Sequence, residues 1–139
     1  MASVAELRDT IRGWFRRTPK EVAPRTILIV DANTSDRQSM VRTVAGLGYQ
    51  ALEARTTEDA LRLLEEQFPD CVILAFDLGD EDGLAALDRI REMAPETPVI
   101  MLTADWRDSR TAEAMRRGAV AYLAKPYGRD DLRELLLRH

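Results

Sequence analysis

From Thr26 onward, short runs of apolar residues alternate with longer stretches in which apolar residues recur at helical spacing. The runs are TILIV, YQALEA, CVILAF, VIMLT and AYLA, of which YQALEA is the least apolar. Short continuous apolar runs bounded by turn residues are typical of strands buried on both faces. A helix is predicted after each strand, with apolar stripes formed by Met40, Val41, Val44 and Leu47, by Ala60, Leu61, Leu63 and Leu64, by Leu84, Leu87, Ile90 and Met93, by residues 112–117, and by Leu132, Leu135 and Leu136.

This alternation predicts the fold class. Five strands alternating with five helices are typical of repeated β-α-β units. Right-handed crossovers then place the strands in one parallel sheet with helices on both faces. The sequence therefore predicts an α/β fold with a doubly wound, five-stranded parallel sheet. In such sheets, ligands bind outside the carboxyl ends of the strands.

Residues 1–24 follow a different pattern. They open with Ser3–Glu6, a capping-box motif, and continue with apolar residues at helical spacing. Pro19 and Pro24 end any helix and stiffen the following linker. The sequence thus predicts an extra amphipathic helix and a proline-containing linker over 1–24, and one domain over 25–139. The apolar face of that helix consists of Val4, Leu7, Ile11, Trp14 and Phe15.

The predicted N-terminal helix leaves three interpretations open. Trp14 and Phe15 are suited to contact with a partner protein or with a second copy in a homodimer. The same face is suited to packing on the chain's own domain, and the arginines suit a helix on a membrane surface. Residues 1–24 carry five basic and three acidic residues, a net charge of +2, whereas the remainder carries −6. We favour a protein contact over a membrane contact.

Composition and charge narrow the function classes. The chain has 139 residues, 45% hydrophobic and 32% charged, which is typical of one globular domain. A net charge of −4 argues against nucleic acid as a partner. No apolar run is long enough to span a bilayer, and no signal peptide is apparent. Cys71 has no disulfide partner, which favours a reducing compartment, so we expect a cytoplasmic protein.

Polar residues follow several of the predicted strands where each strand ends. Asp31 follows the first strand, Ala75 and Asp77 close the third, Thr103 closes the fourth, and Lys125 follows the fifth. An acid, a hydroxyl and an amine at one edge suit an anionic ligand together with a divalent cation. A simpler interpretation is that each polar residue ends a strand where the chain meets water.

Several segments of the chain resemble those of a known protein family. They are ILIVDANTSDR, GYQALEA, EDALRLLEE, PDCVILAF, EDGL, PVIMLTA and GAVAYLAKPY. Through them, residues 26–136 resemble the receiver domain of bacterial two-component response regulators. The resemblance implies a flavodoxin-like fold with strand order 2-1-3-4-5. It also implies phosphate transfer from a histidine kinase to an aspartate that ends strand three, with Mg²⁺, a hydroxyl residue after strand four and a lysine before a proline, usually joined by a cis bond.

The chain departs from the receiver pattern at the reactive positions. Ala75 stands where the phosphate-accepting aspartate belongs, Ala32 replaces the second acid after strand one, and Gly79 replaces a proline. An alanine methyl group cannot form an acyl phosphate, because that bond needs a carboxylate oxygen. We expect Lys125 to pair with Asp31 instead. The positions that match the family's phosphate-contacting and switch residues are Thr103, Ala104, Tyr122, Lys125 and Pro126.

The sequence leaves three functions open for this chain. The first is a stand-alone pseudo-receiver without enzymatic activity or cofactor, acting through contact with a signalling protein such as a histidine kinase or another regulator. The second is a phosphorylatable receiver in which Asp77 accepts phosphate and, with Asp31, forms a weak Mg²⁺ site. The third is a flavin-binding electron carrier with Trp106 on the flavin, disfavoured because the loop DANTSDR lacks glycine. His139 is a terminal residue, and no output domain for DNA binding is expected after the last helix.

Overall fold

The computed structural model describes residues 25–79 and 81–139. Its strands are all parallel and lie in the order β2-β1-β3-β4-β5, so the predicted fold class and strand order are confirmed. The strand bounds are β1 (Thr26–Val30), β2 (Gln50–Ala54), β3 (Cys71–Ala75), β4 (Val99–Thr103) and β5 (Ala121–Ala124).

Each strand is followed by a helix, as predicted. Three of the described helix starts are capped by the side chain of the preceding residue. Asn33 accepts from the Asp36 amide at 2.9 Å, Thr56 from the Asp59 amide at 3.2 Å, and Asp82 from the Leu84 amide at 2.9 Å. These caps hold three helix N-termini close to the carboxyl edge of the sheet. The helix bounds are α1 (Thr34–Gly46), α2 (Thr57–Gln67), α3 (Gly83–Met93), α4 (Arg110–Arg116) and α5 (Arg129–Arg138).

The core has two layers, one on each face of the sheet. Helices α1 and α5 cover one face, where Met40, Val44 and Leu132 are fully buried. Helices α2, α3 and α4 cover the other face. Every residue of β3 and β4 is buried, which explains why their sequences are continuous apolar runs. The central strands are therefore rigid supports for the side chains at their carboxyl ends.

Two details differ from the sequence prediction. Strand β3 ends at Ala75, although the predicted run CVILAF includes Phe76, because the chain turns there and the Gly83 amide donates to the Phe76 carbonyl at 2.6 Å. Helix α4 begins at Arg110, ahead of the predicted stripe. The predicted amphipathic helix over 1–24 lies outside the described residues, and the domain boundary at 25 stays a prediction. In the part that the structure describes, no helix has the length and apolar character that crossing a membrane requires.

Candidate functional site

The carboxyl ends of β1, β3, β4 and β5 meet at a cavity of about 190 Å³. Four residues predicted from the strand ends line it, namely Asp31, Ala75, Asp77 and Lys125, and Ala104 joins them from the loop after β4. Asp36, on the first turn of α1, also lines the cavity, and the sequence prediction missed it. The strand-end rule therefore located the site but not the contribution of the helix.

Lys125 is held by two carboxylates. Its Nζ lies 2.6 Å from Asp36 Oδ2 and 3.4 Å from Asp31 Oδ2. Partial burial by itself lowers the pKa of the Lys125 ammonium, but the hydrogen bond to Asp36 and the charge of Asp31 outweigh it, so the pKa is raised above its usual value. The amine is thus a cation already satisfied by the protein.

Asp31 is almost fully buried, at 2% exposure, and its polar atoms have partners. Oδ1 accepts from the Asn33 amide at 3.0 Å, while Oδ2 faces Lys125. Its carbonyl oxygen accepts from Arg37 Nη1 at 2.9 Å, and the same guanidinium bonds to Glu53 Oε1 at 3.0 Å. Sequence reasoning missed Arg37. A signal existed, since Arg37 shares the inward stripe of α1 with Met40 and Val44.

Ala75 presents a buried methyl group at the end of β3, with 4% of its surface exposed. The backbone just after it is tightly packed against the start of α3. A Cβ built on Gly83 would lie 2.5 Å from the Ala75 carbonyl oxygen and 2.5 Å from Phe76 Cα. Only glycine fits where the start of α3 approaches the backbone of Ala75 and Phe76 so closely. The turn beside the cavity therefore depends on Gly83.

Asp77 does not continue strand β3, which corrects the expectation that Asp77 closes this strand together with Ala75. It forms an isolated antiparallel bridge with Asp82. Its side chain is 80% exposed and pairs with Arg110 Nη1 at 3.1 Å. The chain bends after Ala75 because the loop must return to begin α3, so alternation along β3 no longer applies.

Arg110 organises the loops beside the cavity, and sequence reasoning missed it. Its guanidinium bonds to Asp108 Oδ2 at 2.7 Å and to Asp77, and it lies 4.8 Å from the centroid of the Phe76 ring. The hydrogen bond to Asp108 raises the pKa of Arg110, and the same contact lowers the pKa of Asp108. Because these partners come from separate loops, periodicity along the chain carried no signal for them.

Of the predicted phosphate-contacting and switch positions, Ala104 and Lys125 line the cavity, whereas Thr103, Tyr122 and Pro126 do not. Thr103 is 1% exposed, and its hydroxyl donates to the Asp105 carbonyl at 2.9 Å and accepts from the Asp105 amide at 3.2 Å. The Thr103 hydroxyl is therefore hydrogen-bonded within its own loop. Tyr122 on β5 is 43% exposed, and the peptide bond between Lys125 and Pro126 is cis.

The residues present do not suit the Mg²⁺ that the receiver resemblance implies. Ala32 and Ala75 offer no side-chain oxygen, Asp31 is occupied by the Asn33 amide and Lys125, and Asp77 is held by Arg110. Within residues 25–79 and 81–139, no group of three or more histidine, cysteine or acidic side chains is arranged to hold a metal ion. Magnesium needs its few ligands in near-octahedral positions, and this donor set cannot supply them.

The cavity also argues against the flavin hypothesis. Its volume of about 190 Å³ is below the range usual for cofactor pockets. Trp106, the residue considered for stacking, is 68% exposed and has the Arg107 guanidinium 5.9 Å from its ring centroid. It is a surface residue of the loop after β4.

Comparison with known proteins agrees with the fold. The Response regulator receiver domain family matches residues 27–137. The transcriptional regulatory protein ZraR of Salmonella typhimurium is 33% identical over 110 residues, which are 79% of this chain and 25% of that protein. The regulatory protein AtoC of Escherichia coli is 33% identical over 112 residues, 81% of this chain and 24% of that protein. The chain thus spans about a quarter of the length of these relatives.

Solved structures give the same result. The receiver domain of NtrX from Brucella abortus superposes with a TM-score of 0.77 and 31% identity, covering 81% of this chain and 95% of that one. A putative response regulator from Chloroflexus aurantiacus superposes with a TM-score of 0.77 and 30% identity, covering 83% and 96%. Family match, curated relatives and fold agree over the same residues, and the chain belongs to the response regulator receiver domain family of two-component systems.

Proposed function

We propose that this receiver domain signals through protein contact and is not phosphorylated at the end of β3. The observation that carries the proposal is Ala75, a buried methyl group where a receiver needs its acceptor carboxylate. A covalent phosphoryl intermediate requires a side-chain nucleophile at that point, and alanine has none. The chain would then be a pseudo-receiver without enzymatic activity.

The surrounding charges support the same proposal. In a phosphorylatable site, a lysine contacts the incoming phosphoryl group as a point charge. Here Lys125 is bound to Asp36 and Asp31, and Thr103 is bound to its own loop. A phosphoryl group would have to break these contacts and would face two carboxylates without a metal ion between them. These contacts therefore favour a single conformation of Lys125 and Thr103 at the site.

Phosphorylation of Asp77 is the second candidate, because Asp77 is an exposed carboxylate at the rim of the cavity. The contact with Arg110 argues against it, since a paired carboxylate is a weaker nucleophile and the guanidinium blocks one oxygen. We therefore rank it below the contact-only function.

The surface offered to a partner lies on the α4-β5 side of the domain. Tyr122 is 43% exposed and Met115 on α4 is 41% exposed, so apolar area is available next to charged groups. We propose a cytoplasmic signalling protein as the partner, either a histidine kinase or another regulator, with a homodimer as the simplest variant. A partner shifts the domain between conformations only if it binds one of them more tightly.

Intact-mass measurement after incubation with acetyl phosphate and Mg²⁺ tests the proposal. We expect no gain of a phosphoryl group, about 80 Da, in the wild-type chain. A labelled wild-type chain would contradict the contact-only function. Loss of that label in Asp77→Asn, with retention in Asp82→Asn as the matched control, would then establish Asp77 as the acceptor.

A further inference from the structure

A groove of the described domain lies at the amino-terminal edge of the sheet, opposite the Lys125 cavity. It has a volume of about 560 Å³ and runs between the C-terminal ends of α2 and α3. Its apolar lining includes Leu64, Phe68, Pro69, Met93 and Pro95. Phe68 is 79% exposed and Met93 is 47% exposed, so the walls of the groove present a large apolar area to the solvent.

Phe68 has an unusual place in this groove. It caps α2 with a left-handed backbone, φ 49°, a conformation that glycine or asparagine normally supplies at helix ends. A phenylalanine there is strained relative to glycine and gains little burial within the domain, since its side chain points into solvent. Both features make sense if the ring is an anchor for something that covers the groove.

The chain itself enters the domain beside this groove. The Thr26 amide donates to Asp70 Oδ2 at 2.8 Å, and the Asp70 amide donates to the Thr26 carbonyl at 2.8 Å. Asp70 directly follows Pro69 of the groove wall. Whatever precedes Arg25 is therefore tethered within a few residues of the groove, at a high effective concentration.

The sequence before Arg25 complements the groove in apolar character and charge. Residues 3–15 have the apolar stripe of an amphipathic helix, ending in Trp14 and Phe15, and residues 1–24 carry a net charge of +2. Among the described residues that line the groove, the charged ones are Glu65 and Glu96. A linker over 16–24 spans up to about 30 Å when extended, enough to place the helix across the groove.

We infer that residues 3–15 dock as a helix into the α2-α3 groove of their own chain, with Trp14 and Phe15 against Phe68 and Met93. Helix-in-groove binding uses apolar anchors at this spacing. The docked segment covers the amino-terminal edge of the sheet and leaves the α4-β5 side free. The inference is independent of whether the domain accepts phosphate.

Trp14 fluorescence in the full chain tests the inference. Trp106→Phe removes the only other tryptophan and serves as the background. In that background, Phe68→Glu is expected to shift Trp14 emission to longer wavelength and to raise its acrylamide quenching constant about twofold or more, because the ring leaves an apolar site. Leu137→Glu, on α5 and 70% exposed, is the matched control and should change neither quantity.

The outcomes separate the possible occupants. An unchanged Trp14 signal in Phe68→Glu, with circular dichroism showing a folded domain, would overturn the inference. So would a shift in Leu137→Glu alone, which would place the segment on α5. Protection of Trp14 that disappears on dilution from about 100 to about 1 µM would indicate docking onto a second copy instead. A disulfide formed within one chain between Ile11→Cys and Met93→Cys would support the docked position directly.

Discussion

The Lys125 ammonium lies 2.6 Å from the Asp36 carboxylate, so the lysine at the end of β5 is bound by the first turn of α1. Asp31, 3.4 Å away, is its second partner. Two acids therefore surround one cation at an edge where the family's other acids are alanines. The contact joins β5 to α1 across the cavity.

Removing the Lys125 cation should destabilise the fold, because Asp31 then stays buried without its charged partner. In Lys125→Met, Asp31 at 2% exposure loses its charged partner, and the free energy of unfolding at neutral pH should fall by about 1–3 kcal/mol. Urea unfolding measures this change. Asp36→Asn is the control, with an expected loss of no more than about 1 kcal/mol, because the Asp36 side chain is 42% exposed. Equal losses in the two variants would contradict the explanation that the cost comes from the buried Asp31.

The same pair predicts a dependence on alkaline pH. Folding raises the pKa of Lys125 above its ordinary value of 10.5, so the folded state holds this proton more tightly than the unfolded state. The stabilisation is therefore complete below 10.5 and is lost as the pH rises through the higher, folded-state pKa. The difference in unfolding free energy between wild type and Lys125→Met should shrink over that interval. A constant difference up to about pH 12 would refute the charge-based explanation.

Restoring the two missing acids should restore labelling. Ala32→Asp together with Ala75→Asp supplies a nucleophile and the carboxylates that Mg²⁺ prefers, so the double variant should gain about 80 Da with acetyl phosphate and Mg²⁺. Ala75→Asp alone should label at least about tenfold more slowly, because the metal site stays incomplete. Mass spectrometry over a time course measures both rates. Equal labelling of single and double variants would contradict the role assigned to position 32.

The turn after β3 should tolerate no side chain at Gly83. Its Cβ would lie 2.5 Å from backbone atoms of Ala75 and Phe76, so Gly83→Ala should destabilise the domain by about 2–4 kcal/mol. Gly46→Ala is the matched control: its Cβ meets only the flexible Arg129 side chain, at 3.2 Å, and its stability should stay within about 1 kcal/mol of wild type. Thermal unfolding distinguishes the two.

Cys71 should be unreactive in the folded protein. It is fully buried at the start of β3, and burial raises the pKa of its thiol to about 11. At pH 8 a disulfide reagent should modify Cys71 only after denaturant is added. The reagent should then release one equivalent of its own thiol per chain. Rapid modification without denaturant would show that the amino-terminal end of β3 opens locally.

The sequence by itself determined the fold, because local periodicity specifies which residues are buried. The runs at β1, β3 and β4 are continuous apolar segments, and Asp31, Ala75 and Thr103 lie at their ends in the sequence. The resemblance to receivers then indicated which acids are missing. These inferences use only neighbours along the chain and the geometry of parallel sheets.

The tertiary structure decided which groups meet. Asp36 reaches Lys125 because capping by Asn33 sets the start of α1 beside the end of β5. Arg110 reaches Asp77 because the loops after β3 and β4 converge. The groove beside Phe68 exists only where two helix ends meet the sheet. Such contacts depend on distances between residues far apart in sequence, which a periodic pattern does not encode, and the pairing of Lys125 with Asp31 and Asp36 is one result.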